Sequence, residues 1–382
     1  MSYLNTLITD LRHSKPAAAG FVSEGLFWGT FAGLVPDIKA AIDASDGQFG
    51  LAMFFASLGA VAAMWLAPRV DAKLGNRAMQ GAALAMALAF LLPGLASSVA
   101  FFTLAMVLAS ASSGSLDVVM NTRLSGIEAD TNRSLMNLNH ALFSFAYAGA
   151  ALFTGLFREV GFQPFFVFVI MSVLVFMLIP VMFHKPVGFG EGEAQEPLKV
   201  RTALIFFGGA IILVAFMSEQ ATEAWSALHL ERGLGGSAAQ GALGPAILGL
   251  TMGVGRLSGQ FIAAHVRETV VLQIAAVIAA SGLYIAAGAS NLTTAYIGFG
   301  ILGIGVSVMA PMAYSAVGKR VSNQQRALVI TRISVIGYMG FFVGPPLMGG
   351  LSEAFGLATS FYTISAILLI VSAVLAPGLR KQ

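Results

Sequence analysis

The chain has 382 residues, of which 57% are hydrophobic and only 10% charged, with a formal net charge of +3 and no cysteine. A soluble domain carries about 25% charged residues, so a mean hydropathy of +0.83 excludes an ordinary globular protein and indicates an integral membrane protein. The small positive charge gives no reason to expect nucleic-acid binding, and the lack of cysteine excludes disulfides and thiol chemistry.

The start, Met1–Pro16, is polar (Asp10, Arg12, His13, Lys15), so no cleaved signal peptide is expected and the first span is retained. A helix needs about 20 residues to cross a ~30 Å hydrocarbon core. On that measure twelve spans are predicted near 17–36, 47–67, 78–98, 100–122, 134–157, 160–183, 203–228, 238–262, 269–289, 291–315, 327–352 and 357–377. If both termini are cytoplasmic, only Lys39, Arg158 and Arg232 face the other side, and Arg256 and Arg332 lie inside spans. The remaining 16 of the 21 basic residues then fall on the cytoplasmic face. A bias of that size sets the orientation.

His184 to Arg201 is the long polar break, with six spans on each side. The predicted fold is an all-α membrane protein: twelve transmembrane helices in two six-helix bundles, 1–183 and 202–382, joined by a cytoplasmic linker at 184–201. An offset of 194 lays Gly50, Ala52 and Gly59 over Gly244, Ala246 and Gly253. That pattern suggests parallel repeats related by an axis along the membrane normal.

Ionisable residues inside spans cost at least about 2.5–3.5 kcal/mol each, so they face a partner or a water-filled path. Glu24, Asp117 and His140 each lie roughly 8–10 Å from the cytoplasmic ends of their spans at 1.5 Å per residue, forming one layer able to load and release a proton. His140 fits a relay or a satisfied interhelical histidine equally. Ser110, Ser113, Asp117 and Asn121 recur at three- and four-residue steps on the fourth span, as do Asn137, His140, Ser144 and Tyr147 on the fifth. Such stripes face helices or water rather than lipid. In the second half, Arg256 and Arg332 either hold an anionic group, pair with acids across the halves to gate the inner side, or snorkel to the interface. Glu219 and Glu223 share a face of the seventh span with Trp225, which suits sugar hydroxyls and ring stacking, although an interfacial tryptophan fits as well. Trp28, one turn beyond Glu24, lines the same cavity. Gly344-Pro345-Pro346 bends the eleventh helix, as a gate or as a static kink, and Tyr338 lies on the same helix.

The loop Ala67-Pro-Arg-Val-Asp71-Ala-Lys73-Leu-Gly75-Asn-Arg77 resembles the cytoplasmic signature of the major facilitator superfamily. It departs from it in the leading Ala67 and in one extra residue between Asp71 and Gly75. The resemblance covers the whole chain and implies gating roles for Asp71 and Arg77, with Asp71 expected on the start of the eleventh helix. Gly29-Thr-Phe-Ala-Gly-Leu-Val-Pro36-Asp37-Ile-Lys39, Leu116-Asp117-Val-Val-Met-Asn121 and Gly337-Tyr338-Met-Gly-Phe-Phe-Val-Gly344-Pro345-Pro346 are similar to the bacterial sugar–proton symporters of the fucose permease type. That likeness implies proton coupling at Glu24 and Asp117.

The function expected is proton-coupled uptake of a sugar, sugar acid or organic anion by alternating access, by a monomer in the bacterial inner membrane. Proton-driven efflux of amphipathic compounds is the alternative. The partners expected are a small solute, protons and lipid. Neither metal nor cofactor is expected, and energy comes from the proton gradient. No P-loop, zinc spacing, nucleophile elbow or dinucleotide fingerprint points to an enzyme.

Overall fold

The structure, a computed structural model, describes residues 3–185 and 201–382. Most of the linker expected at 184–201 therefore lies outside the described residues. Among the described residues twelve main helices follow one another: α1 Tyr3–Ala41, α2 Asp46–Leu74, α3 Ala78–Ala89, α4 Val99–Thr131, α5 Met136–Glu159, α6 Pro164–Leu178, α7 Thr202–Leu228, α8 Ala238–His265, α9 Glu268–Ala287, α10 Leu292–Gly318, α11 Asn323–Phe355 and α12 Leu357–Ile370. The last helix runs on through a π turn, Val371–Leu375, to Arg380. Among the described residues eleven stretches are long and apolar enough to cross a membrane, with α3, α6 and α12 doing so only together with the segments that extend them (Trp65–Leu95, Pro164–Met182 and Leu357–Arg380), and α8 has 28 residues.

Several helices outrun the predicted spans. α1 has 39 residues and starts at Tyr3, with Pro16 inside it, because the limit on a span is set by apolar length while helix formation is not. The polar first turns are held by Arg133, which forms an ion pair with Asp10. Side chains facing outward are apolar: Trp65 is 73% exposed and Met177 68%. That is the surface of a multi-pass membrane protein.

Helix boundaries follow local chemistry. Ser45 caps α2, accepting from Gln48 N at 3.2 Å while its own N–H donates to Gln48 Oε1 at 3.0 Å. Asn291 caps α10 through Thr294 N at 2.9 Å.

Within lipid, close backbone approach takes over from the hydrophobic effect as the packing force. A Cβ at Gly29 of α1 would strike the main chain of Tyr147 on α5, so α1 and α5 lie side by side along their length. The partnerships repeat six helices later. α1 packs on α5 as α7 packs on α11, and α2 packs on α4 as α8 packs on α10. Across the halves, α2 packs on α11 as α8 packs on α5. The glycines aligned by the 194 offset repeat less well, since Gly59 meets Val107 of α4 whereas Gly253 meets Phe145 of α5.

The offset reappears elsewhere. Glu159 and Glu353 stand 194 positions apart. Glu353, on α11, accepts from Gly47 N at 2.6 Å and Ser45 Oγ at 2.7 Å at the start of α2. Glu159, on α5, accepts from Ala239 N at 3.0 Å at the start of α8. Each acid caps the positive end of a helix in the opposite half.

These caps lie at the end of the molecule formed by the α1–α2, α5–α6, α7–α8 and α11–α12 turns, called the turn end below. Arg158 joins them: its side chain is 3% exposed, its guanidinium donates to both Asp37 oxygens at 2.9 and 2.6 Å, and it reaches Glu231 at 2.7 and 3.0 Å. Asp46 takes Lys39 at 2.9 Å, Arg232 at 3.0 Å and the Ser352 hydroxyl. Among the described residues, the ion pairs that link the two halves, Arg158–Glu231 and Arg232–Asp46, are both at this end.

The turn end should loosen when its caps lose charge. With Cys introduced at Val160 and Phe355 and spin labels attached, the double variant Glu159→Gln/Glu353→Gln is expected to show a longer distance component than the parent. An unchanged distribution would mean that the caps do not hold this end shut.

Candidate functional site

The helical period sorts the polar residues onto one lining. Glu24 and Trp28 of α1, Ser110, Ser113 and Asp117 of α4, His140 of α5, Glu219, Gln220 and Glu223 of α7, Arg256 of α8 and Tyr338 of α11 surround a cavity of about 310 Å³ between the halves. On α1 and α4 these positions fall at three- or four-residue steps, and on α7 Glu219 and Gln220 stand four and three residues before Glu223, which puts each set on one stripe. Aromatic rings complete the wall: Phe21, Phe31 and Phe143 from the first half, Phe216, Phe341 and Phe342 from the second.

On the first-half side, the Trp28 indole donates to Ser113 Oγ at 2.9 Å, and that hydroxyl donates to Glu24 Oε1 at 3.3 Å. Asp117 accepts from Asn121 Nδ2 at 2.8 Å, one turn along α4. Glu24 and Asp117 lie within electrostatic reach of each other. The His140 ring meets Phe21 edge-on at 4.8 Å.

On the other side, Glu219 and Glu223 are four residues apart on α7, so both face the cavity. Arg256 pairs with Glu219 at 3.1 Å and reaches across to the Ser144 hydroxyl and the His140 carbonyl of α5. The expected pairing of Arg256 with an acid of the opposite half is thus replaced by one within its own half. The reason is geometric, since α7 and α8 are neighbours and present the acid and the guanidinium to the same space.

Other predicted positions fall elsewhere. Asn121 supports Asp117 from one turn away. Tyr147 is 1% exposed behind the wall, its hydroxyl without a hydrogen bond, within electrostatic reach of Glu219 and Glu223. Trp225 is fully buried, its ring 5.6 Å from Phe49 of α2, so it is neither an interfacial anchor nor part of the cavity wall. Packing claims it because it sits on the α7 face turned towards α2. Asn137 is half-buried and Arg332 exposed, and neither lines the cavity among the described residues. The arginine proposed to hold an anion is thus exposed and not one of the lining residues.

The gating residues also differ from expectation. Asp71 pairs with buried Arg123 of α4, which also donates to the Gly75 carbonyl at 3.2 Å. It is not on the start of α11: a buried guanidinium on an adjacent helix satisfies a carboxylate better than a distant helix dipole does. Arg77 is exposed. Pro345 and Pro346 leave α11 continuous. Pro345 offers no N–H to the Phe341 carbonyl, and Ser57 of α2 donates there instead at 3.0 Å. A Cβ at Gly50 of α2 would strike the Pro345 carbonyl. The proline pair therefore serves as a contact between the halves.

Arg158, Glu159, Glu353 and Gln220 were not legible as functional from sequence. The available signal was an Arg-Glu pair closing the fifth span and a Ser-Glu pair 194 positions later.

The Major Facilitator Superfamily family model matches residues 17–291 and 210–381. An uncharacterised transporter of this type from Yersinia pestis is 30% identical over 359 residues, covering 92% of each chain. Among solved structures, a bacterial homologue of the human lysosomal transporter Spinster, inward-facing and occupied, superposes with a TM-score of 0.73 at 17% identity. That match covers 100% of this chain and 98% of the other. A D-xylose–proton symporter gives 0.74 at 13% identity over 96% and 97% of the two chains. The chain belongs to the Major Facilitator Superfamily and is a membrane transporter rather than an enzyme.

The Arg256–Glu219 pair can be tested by stability. Arg256→Met leaves Glu219 without its cation, and because both side chains are only partly buried, losing this partner costs about 1–3 kcal/mol. The purified variant should melt well below the parent, and Arg256→Met/Glu219→Met should recover most of the loss. Equal melting of all three proteins would show that the pair is idle.

Proposed function

We propose that the chain takes up a small polar solute together with protons, by alternating access at the cavity between its halves. The observation that carries this reading is that Glu24, Asp117 and Glu223 line that cavity and form no ion pair among the described residues. A carboxylate kept ionised in that position is costly, so the halves can rearrange around it only once a proton or a cationic group has compensated it.

Glu24 and Asp117 are assigned the proton. They sit in one layer, each held by a neutral donor, Ser113 and Asn121, that tolerates either protonation state. The Trp28–Ser113–Glu24 chain connects that layer to an aromatic surface fit for a sugar ring. A proton entering is worth about 2.3 kcal/mol per 100 mV of membrane potential and about 1.4 kcal/mol per pH unit, which drives accumulation of the solute.

The ties at the turn end close the cavity on that side. With the termini in the cytoplasm, as the basic residues favour, this is the inward-facing state. The two six-helix units, 1–183 and 202–382, then rock about the cavity, breaking the ties of Arg158, Asp46, Glu159 and Glu353 to open outwards. The D-xylose–proton symporter with the same fold supports a sugar-like solute and proton coupling.

A thermal-shift screen of sugars, sugar acids and small carboxylates identifies the solute, since a ligand stabilises the state it binds. In proteoliposomes, Glu24→Gln and Asp117→Asn should each lower pH-gradient-driven accumulation of that solute at least tenfold while sparing counterflow exchange. Accumulation at the wild-type level in both variants would remove the coupling assignment.

A further inference from the structure

The cavity has an excess of acceptors on one side. Along α7, Glu219, Gln220 and Glu223 all face it. Gln220 is 8% exposed, and its buried Oε1 has no hydrogen-bond partner. Glu223 forms no ion pair among the described residues. Of the donors nearby, the Arg256 guanidinium is committed to Glu219, Ser144 and the His140 carbonyl and the Trp28 indole to Ser113, while the Tyr147 hydroxyl behind the wall has no hydrogen bond but carries no charge. Arg256 pairs with one of the two acids of α7, and Glu223 is left without a cationic partner among the described residues.

Beside it stands an aromatic cluster. The rings of Phe216, Tyr338 and Phe341 lie 5.0–6.1 Å apart, centre to centre, and all three line the cavity. Phe216 precedes Glu219 and Gln220 by one helical turn. A group that gives several hydrogen bonds, carries one positive charge and is tolerated by aromatic faces satisfies this whole wall, and an ammonium group does all three. A carboxylate on the solute would stand against the like groups of Glu219 and Glu223, and a neutral hydroxyl offers Glu223 a hydrogen bond but no opposite charge.

We propose that the solute is a small polyhydroxylated amine carried as its ammonium form, with the ammonium group held by Glu223 and Gln220 against the Phe216–Tyr338–Phe341 cluster. This deepens the transport reading above and rests on it. It also separates two tasks that would otherwise compete for one carboxylate. The proton occupies Glu24 and Asp117 on the first-half side, and the amine occupies Glu223 on the second-half side. A cavity of about 310 Å³ is at the small end of ligand sites, which confines the class to molecules of monosaccharide size.

Matched sets test the class: D-glucosamine, D-glucose and D-glucuronate, then D-galactosamine, D-galactose and D-galacturonate, titrated by calorimetry into the purified full-length protein at pH 7. In at least one set the amine should bind tenfold or more tighter than the neutral sugar, with the acid weakest. Glu223→Gln, which keeps the side chain's size but removes its acid, should bring the amine's advantage over the neutral sugar down to threefold or less. Should that variant fail to fold, Gln220→Leu, which removes the second acceptor, should lower amine affinity at least threefold. The proposal is overturned if neutral or acidic members bind as tightly as the amine in both sets, or if no amine binds. Transport of the same compounds keeps the two readings apart. An amine that binds but is not accumulated by a pH gradient would sink proton coupling and leave the substrate class standing. A neutral sugar accumulated by the gradient without amine preference would do the reverse.

Discussion

A carboxylate inside a membrane protein must be compensated, and this chain uses three solutions in three places. Asp71 on Arg123, and Asp37 with Glu231 on Arg158, are neutralised by buried guanidinium groups. Glu159 and Glu353 accept from the first N–H groups of helices in the opposite half. Glu24, Asp117 and Glu223 have neither device and face a cavity instead. The first two solutions fix structure. The third leaves charge to be met by something that arrives, which is the property a transporter requires.

The two fixed solutions also differ in where they act. Asp71 and Arg123 both belong to the first six helices, so their pairing survives any rearrangement of one half against the other. The Arg158–Glu231 and Arg232–Asp46 pairs and the two caps cross between the halves at the turn end. Opening that end exchanges them for water, which solvates the same groups well, so the locked and open states can lie close in free energy. The proline pair of α11 follows the same logic: Ser57 supplies across the interface a donor that Pro345 cannot. Contacts of that sort are specific without being strong.

Much of this was legible in the sequence because bilayers impose a coarse filter. Apolar runs of about 20 residues marked the helices, and single acids breaking them marked Glu24, Asp117, Glu219 and Glu223, which the structure brings to one cavity. What sequence could not give was direction and neighbourhood. Arg332 and Arg256 look alike as arginines inside spans, yet one is exposed and off the cavity lining and the other meets Glu219, because facing depends on helix rotation set by packing. Trp225 reads as a site aromatic on a polar stripe, but that part of α7 is buried against α2. Arg158 reads from sequence only as one of three basic residues on the face opposite the termini. Its role appears only when α1, α5 and the turn after α7 converge.

The central claim is that the costly polar groups line a wet crevice between the halves instead of a dry helix contact. The chain has no native cysteine, so Ser113→Cys, beside Glu24 and Trp28, is a single reporter. Sealed vesicles of known orientation can be treated with a membrane-impermeant thiol reagent on one face at a time. The account predicts modification from the face opposite the turn end, and slowing of that reaction by bound solute. No reaction from either face, in the presence or absence of a proton gradient, would contradict it.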